Sequence, residues 1–360
     1  MSRRFAGARR LALDISPLRD SKPYRALWLG QVVSLIGTQM RFVAVPWQVF
    51  QITGSTVAVG LVGLVEVAPL IAFSILGGAF ADVTDRRKLV GLMTVGMLLT
   101  SIALALLTFA GHASLLAVYA LTAVASAVSA VEHPARLAMM PSLVKKEQVP
   151  AVMALRQVAF QTTQIVGPAV GGLLIASFSL GWVYAIDAVT FVAVLASMRW
   201  IPALPPETMP ARGGWIAIRD GLRFAFKTPV LRSIFLIDLV AMVFGMPRAV
   251  FPALADNVFH VGARGVGFLY AAPAAGALLA AVLGGWVTRV RRQGRAVIVA
   301  VTAWGVAIAL AGLSLWSLAL TLLFLAAAGA ADVYSAIFRG TMILQVTPDS
   351  LRGRVSAVNI

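Results

Sequence analysis

The sequence predicts an all-α membrane protein built as a duplicated helical bundle, and three observations carry that prediction. Of 360 residues, 60% are hydrophobic and only 12% charged, with a mean hydropathy of +0.89; a soluble domain carries about 25% charged residues. The apolar residues gather into stretches sufficient for about ten spans of 20 residues. A shift of 207 residues superposes the two halves of the chain on each other.

Apolar stretches fall at 26–51, 56–81, 89–110, 114–132, 152–176, 180–198, 230–251, 265–288, 296–313 and 316–338. Two intervals, Leu89 to Val131 and Ala296 to Ala331, contain no formal charge and are each too long for one span. Ala110-Gly111-His112-Ala113-Ser114 breaks the first and the segment Gly312 to Ser317 breaks the second, so each reads as two helices joined by a turn. Ten helices result, six and then four. They divide the chain into a basic tail (1–23), a six-helix bundle (24–199), a linker (200–229) and a second bundle of four helices (230–360). The linker holds Pro202, Pro205, Pro206 and Pro210, and its second half, Trp215 to Phe226, reads as an amphipathic helix at the membrane interface.

Charge sets the topology. Arg41 and Arg248 fall inside spans and Arg264 in the loop after the seventh; the other basic residues lie in the tail, at one set of span ends, or in loops after even-numbered spans. The positive-inside rule then places both chain ends in the cytoplasm and the protein, multi-pass, in a bacterial inner membrane. The formal net charge of +16 is thereby a topology signal with affinity for anionic membrane lipid, and argues against a nucleic-acid partner. Cysteine is absent, and His112, His133 and His260 are far apart, so neither a disulfide framework nor a metal site is expected. No nucleophilic triad and no phosphate-cradling glycine loop with lysine is present, which argues against an enzyme, a cofactor or an ATP-driven pump. Trp28, Trp47, Trp182, Trp200 and Trp316 fall near span ends, where an aromatic belt is expected.

The repeat carries the functional inference. Arg25 meets Arg232, Arg41 meets Arg248, Gly60 meets Gly267, Gly77-Gly78 meet Gly284-Gly285, and Pro141 meets Pro348; a shift of 206 brings Pro46 onto Pro252. Two similar halves around a central site can expose it to either side in turn, which makes duplication a transporter signature. The second copy stops where an eleventh helix would begin, so two helices of an expected twelve are read as lost or as lying on sequence beyond Ile360.

The loop after the second span, Gly77-Gly78-Ala79-Phe80-Ala81-Asp82-Val83-Thr84-Asp85-Arg86-Arg87-Lys88, resembles the Gly-x-x-x-Asp-basic-x-Gly-basic-basic signature of the major facilitator superfamily. Val83 and Asp85 depart from it, standing where a basic residue and a glycine are usual. Pro46-Trp47 with Thr53-Gly54-Ser55, Glu66 with Pro69, His133-Pro134-Ala135-Arg136, and Pro348 with Arg352-Gly353-Arg354 resemble the branch of bacterial exporters that includes the enterobactin exporter. Gly167-Pro168-Ala169-Val170-Gly171-Gly172 is similar to the Gly-Pro-x-x-Gly-Gly core of proton-coupled exporters, although Ala154 and Thr163 occupy positions where upstream glycines are expected.

The resemblance implies a major-facilitator-type bundle that exports a small lipophilic or siderophore-like compound by alternating access in exchange for protons, as a monomer. It assigns Gly78, Asp82, Arg86 and Arg87 to a cytoplasmic gating loop. Gly167, Pro168, Gly171 and Gly172 then form the exporter-type helix motif, with helix packing as an equal alternative. Arg41 and Arg248 are expected to face the central pathway and to pair with acids or anionic substrate, since the first and seventh helices line the cavity in this superfamily. Among the intramembrane acids, Glu66 and Asp238 are the preferred proton carriers, because a carboxyl shielded from water can load and release a proton. Asp332 is expected to cap or gate the tenth span and Asp187 to be a structural anchor. Glu132 and Glu147 are read as solvated loop residues. Two other readings stay open: a transport-inactive fragment, and a non-transporting sensor or scaffold that keeps the fold.

Overall fold

The computed structural model describes residues 14–205, 223, 226–245 and 247–347, and the described residues contain helices and turns without any strand. Ten long helices follow one another: α1 (Lys22–Thr53), α2 (Thr56–Val83), α3 (Arg86–Phe109), α4 (Leu115–Met139), α5 (Val149–Ser177), α6 (Leu180–Ser197), α7 (Pro229–Gly245), α8 (Gly262–Leu283), α9 (Gln293–Leu313) and α10 (Leu318–Val346). Among the described residues, eight of them are long and apolar enough to cross a membrane. α7 misses that standard because it has only 17 residues, and α1 does not meet it either. The basic tail before residue 14, most of the linker helix read over Trp215–Phe226, and Pro348 with Arg352 and Arg354 lie outside the described residues.

The turns have local causes. Gly54 and Gly111 adopt φ of 63° and 69°, a left-handed conformation that a Cβ disfavours, and each reverses the chain between two spans. Ser114 then caps α4 by accepting from the Ala117 N–H at 3.3 Å, and Ser317 does the same for α10 from Leu320 at 3.5 Å. The seventh span does not run unbroken to residue 251. It leaves α-helical geometry after Gly245 and continues as a 3₁₀ turn (Pro247–Val250), a short helix (Phe251–Ala253) and a π turn (Leu254–Val258). Pro247 and Pro252 each remove a backbone donor there. The tenth span, conversely, extends eight residues past its expected end at 338. Trp182, Trp200 and Trp316 are exposed near helix ends as a belt requires, but Trp47 is buried and packs 6.4 Å from Phe50.

Helix contacts divide the chain into two compact units. The first takes the N-terminal part of α1 through Arg41, most of α2 from Val65, all of α3 and α4, α5 up to Gly167, and α6. Its core joins Tyr24 and Leu27 of α1, Val90 of α3, Met139 of α4, Val152 of α5 and Val194 of α6. In lipid there is little hydrophobic drive to bring helices together, so close backbone approach matters more. Gly77 of α2 supplies one such approach: a Cβ there would stand 2.7 Å from the Ala130 carbonyl oxygen and the Val131 Cα of α4.

The second unit takes Phe42–Leu64, Pro168–Leu180 and everything from residue 209 onward. Here α8 and α10 meet backbone to backbone. Gly276 leaves no room for a Cβ against Ala326, nor does Gly329 against Pro273. Leu231 and Ile234 of α7 pack on Ile343 of α10, and Phe338 of α10 packs on Val297 of α9.

Candidate functional site

Among the described residues, charge clusters are held inside long helices of both units, one in the second and two in the first. In the second unit, Arg339 of α10 is buried, and its guanidinium lies 2.7 Å from Asp238 of α7 and 3.7 Å from Asp332 of α10. Asp332 and Arg339 are seven residues apart, which is close to two turns and sets them on one helix face. Ser335 lies between them on that face and buries a hydroxyl that finds no hydrogen-bond partner among the described residues. Both carboxylates are far more open than the arginine, with side chains 35% and 48% exposed against 10%. A buried cation therefore underlies two accessible acids of which it can fully neutralise one.

Arg339 is the residue that sequence reading missed. Ending the tenth span at 338 made it one more basic span-end residue. The available signal was its spacing from Asp332, an acid and a base on the same helix face in an otherwise apolar run.

Arg248 belongs to the same unit but not to a regular helix. It sits in the 3₁₀ turn after α7, is exposed, and holds its guanidinium 5.5 Å above the ring of Phe42. Tyr270 packs edge-on against Phe42 and Phe251, and its hydroxyl donates to the Arg248 carbonyl at 3.2 Å. Arg248 also acts electrostatically on Asp332, together with Arg339 and Asp238. A cation stacked on an aromatic face is a stable partner for itself and remains available to an anion on its open side.

The first unit contains a second cluster. Arg41 of α1 lies 3.4 Å from Asp187 of α6 and donates to the Ser101 hydroxyl of α3 at 3.2 Å, while Ser101 donates to Asp187 at 2.7 Å. Asp187 is fully buried, and its second oxygen has no hydrogen-bond partner among the described residues. Gly37 makes the approach of α1 to α6 feasible, since a Cβ there would come within 2.7 Å of that oxygen. The repeat-related arginines thus differ: Arg41 is neutralised inside its unit, whereas Arg248 is open.

The remaining expected residues are dispersed. Glu66 of α2 is half-buried in the first unit, and its backbone carbonyl accepts from the Ser126 hydroxyl of α4. Glu132 is not a solvated loop residue. α4 continues through Pro134 to Met139, so Glu132 is buried in the helix and ion-paired with Arg136 one turn on. Glu147 is exposed in a 3₁₀ turn. In the gating loop, Gly78 and Asp82 belong to the last turns of α2, and the surroundings of Gly78 and of the Asp82 side chain are not among those described. Asp85, the departure from the superfamily pattern, has a definite task. Its carboxylate caps α3 by accepting from the Arg87 N–H at 2.9 Å and also accepts from the Leu204 N–H at 3.3 Å, while the Arg86 N–H donates to the Leu204 carbonyl. The loop thereby holds the chain that leaves α6.

In α5 the glycine–proline motif serves both units. Gly167 packs against Gln39 of α1 in the first. In the second, a Cβ on Gly172 would stand 2.6 Å from the Ala263 carbonyl oxygen and 2.8 Å from the Gly267 Cα of α8, with the Pro168 carbonyl similarly close to Gly267. Gly171 is buried beside it. Among the described residues, no three His, Cys, Asp or Glu side chains gather as a metal site would need.

A bundle of this design, with ionised groups inside its spans, is that of the major facilitator transporters. The nucleoside transporter NupG superposes with a TM-score of 0.74 at 12% identity, covering 94% of this chain and 86% of that one. An inward-facing bacterial homologue of the iron transporter ferroportin gives 0.69 at 15% identity, covering 93% and 87%. These likenesses establish the fold. The chain belongs to the transmembrane secretion effector family of that superfamily, whose sequence profile matches residues 12–360. The enterobactin exporter EntS of Shigella boydii serotype 18 is 30% identical over 348 residues, which cover 96% of this chain and 83% of the relative. EntS of Escherichia coli O81 matches to the same extent. The protein is a multi-pass protein of the inner membrane, and its relatives are transporters rather than enzymes.

Proposed function

We propose that this chain is a proton-coupled efflux transporter that works by alternating access, with Asp238, Arg339 and Asp332 as its coupling site. One observation carries the reading: a single buried guanidinium serves two accessible carboxylates at unequal distances, 2.7 and 3.7 Å. In a spanning segment an uncompensated charge costs about 2.5–3.5 kcal/mol on insertion scales, and a proton removes it. Asp238 is the more tightly paired acid, so Asp332 is assigned the exchangeable proton. Arg339 then alternates between its carboxylates and an anionic group of the substrate, which the open Arg248 also attracts. A contact made in one conformer only shifts the balance between conformers, which is what coupling requires.

The substrate class is a small lipophilic or siderophore-like molecule. Support for it comes from the relatives named for enterobactin export, and from the open Arg248 guanidinium over Phe42, which suits a molecule with aromatic and anionic character. The basic loops after even-numbered spans support an orientation with both ends in the cytoplasm, and the internal repeat supports rocking of two halves by a single copy. In a strain lacking its own enterobactin exporter, expression of this chain should restore enterobactin release, and a protonophore should remove the gain. No restored release, or release that a protonophore leaves intact, would overturn the proposal.

A further inference from the structure

Away from the coupling site, α1 and α6 enclose a groove of about 480 Å³ in the first unit. Lys22 and Arg25 line one end, Leu29, Val33 and Ala193 form an apolar wall, and Trp200 flanks it. Gly30 forms part of the floor, where the two helices come close: a Cβ on it would meet the Ala193 carbonyl oxygen and the Ser197 hydroxyl at 3.2 Å. Lys22 and Arg25 are exposed, and neither has a carboxylate partner among the described residues. The nearest acid in sequence, Asp20, is engaged elsewhere, accepting from Gln148 at 2.8 Å. Leu29, Val33 and Trp200 are exposed large apolar side chains, 52%, 42% and 59% accessible.

We infer that this groove binds an anionic phospholipid, its phosphate on Lys22 and Arg25 and one acyl chain along α1 toward Val33. Length and charge together select that occupant. From Lys22 to Val33 is about 16 Å of helix, half of a hydrocarbon core of about 30 Å, so the groove spans one leaflet. Its charged end coincides with the basic end of the bundle, where lysine and arginine extend toward phosphate, and Trp200 lies at the depth favoured by interfacial aromatics. Two unpaired cations above an apolar channel match an anionic head on an apolar chain; a zwitterionic head brings its own cation and gains less. A lipid seated there would brace α1 against α6, the two helices that hold Arg41 and Asp187.

Native mass spectrometry of the purified full chain tests this, with phosphatidylglycerol and phosphatidylcholine of identical acyl chains as probes. Wild type should retain phosphatidylglycerol in preference, and K22Q/R25Q should lower that preference by about 30-fold, near the combined effect of two basic residues at a membrane surface. Ala196→Phe, which fills the groove without touching its charge, should reduce retention of both lipids. Should that variant misfold, the charge variant decides alone. Equal retention of the two lipids by wild type, or an unchanged preference in K22Q/R25Q, would overturn the inference. So would displacement of phosphatidylglycerol by millimolar inorganic phosphate, which would mark a simple anion site, or a dimer that Ala196→Phe dissolves, which would mark a second copy as the occupant.

Discussion

Arg339→Gln should abolish proton-driven efflux while leaving the chain able to insert and fold. Among the described residues, the substitution removes the buried cation beside Asp238 and Asp332; because both carboxylates are more than a third exposed and solvent screens them, the cost is about 3 kcal/mol, the low end of the range for breaking a buried pair. If that penalty falls on one conformer more than the other, the conformational balance moves by roughly two orders of magnitude, and cycling stops. Arg339→Lys keeps the charge but not the planar fork that can address two acids at once. Its efflux should be reduced about tenfold rather than lost, for a difference of about 1.4 kcal/mol. Initial rates of substrate uptake into everted vesicles under an imposed pH gradient, at matched protein levels, distinguish these outcomes. Wild-type rates in Arg339→Gln would remove the arginine from the mechanism.

The second large effect is on stability. Asp187→Ala should lower unfolding stability by about 3 kcal/mol, because it leaves the largely buried Arg41 among α1, α3 and α6 with only the Ser101 hydroxyl for a partner among the described residues. Replacing both members, as in R41M/D187L, should recover most of the loss, since two apolar side chains of similar volume satisfy each other where a lone cation does not. The midpoint of thermal aggregation in detergent reads both. A wild-type midpoint for Asp187→Ala would mean that water or lipid headgroups already solvate the pair. Equal destabilisation in the single and double variants would point to packing rather than charge.

The contrast between these residues shows what periodicity and composition reveal and what they hide. Apolar run length placed the ten helices well, because a span in lipid must satisfy its backbone internally and cannot be much shorter than the bilayer. The turn at Gly111 was legible for the same reason that it forms: a residue without a Cβ adopts that backbone freely. Helix ends were harder to read. α10 runs on past residue 338 because helix formation tolerates a buried arginine once carboxylates neutralise it, and a hydropathy window registers the charge but not its partner. Glu132 differs likewise: the apolar stretch ends at 132, yet α4 continues and the pair neutralises itself one turn apart. The pairing of Arg41 with Asp187 joins residues 146 positions apart in sequence, and no local pattern encodes which faces of α1 and α6 meet.

The claim on which the rest depends is that a proton leaves Asp332 when substrate binds. Purified protein in weakly buffered detergent with a pH indicator measures this directly on addition of enterobactin. Wild type should release close to one proton per bound substrate, Asp332→Asn should bind without release, and Asp238→Asn should release but bind more weakly. Full proton release from Asp332→Asn would contradict the assignment and move the coupling site elsewhere in the bundle.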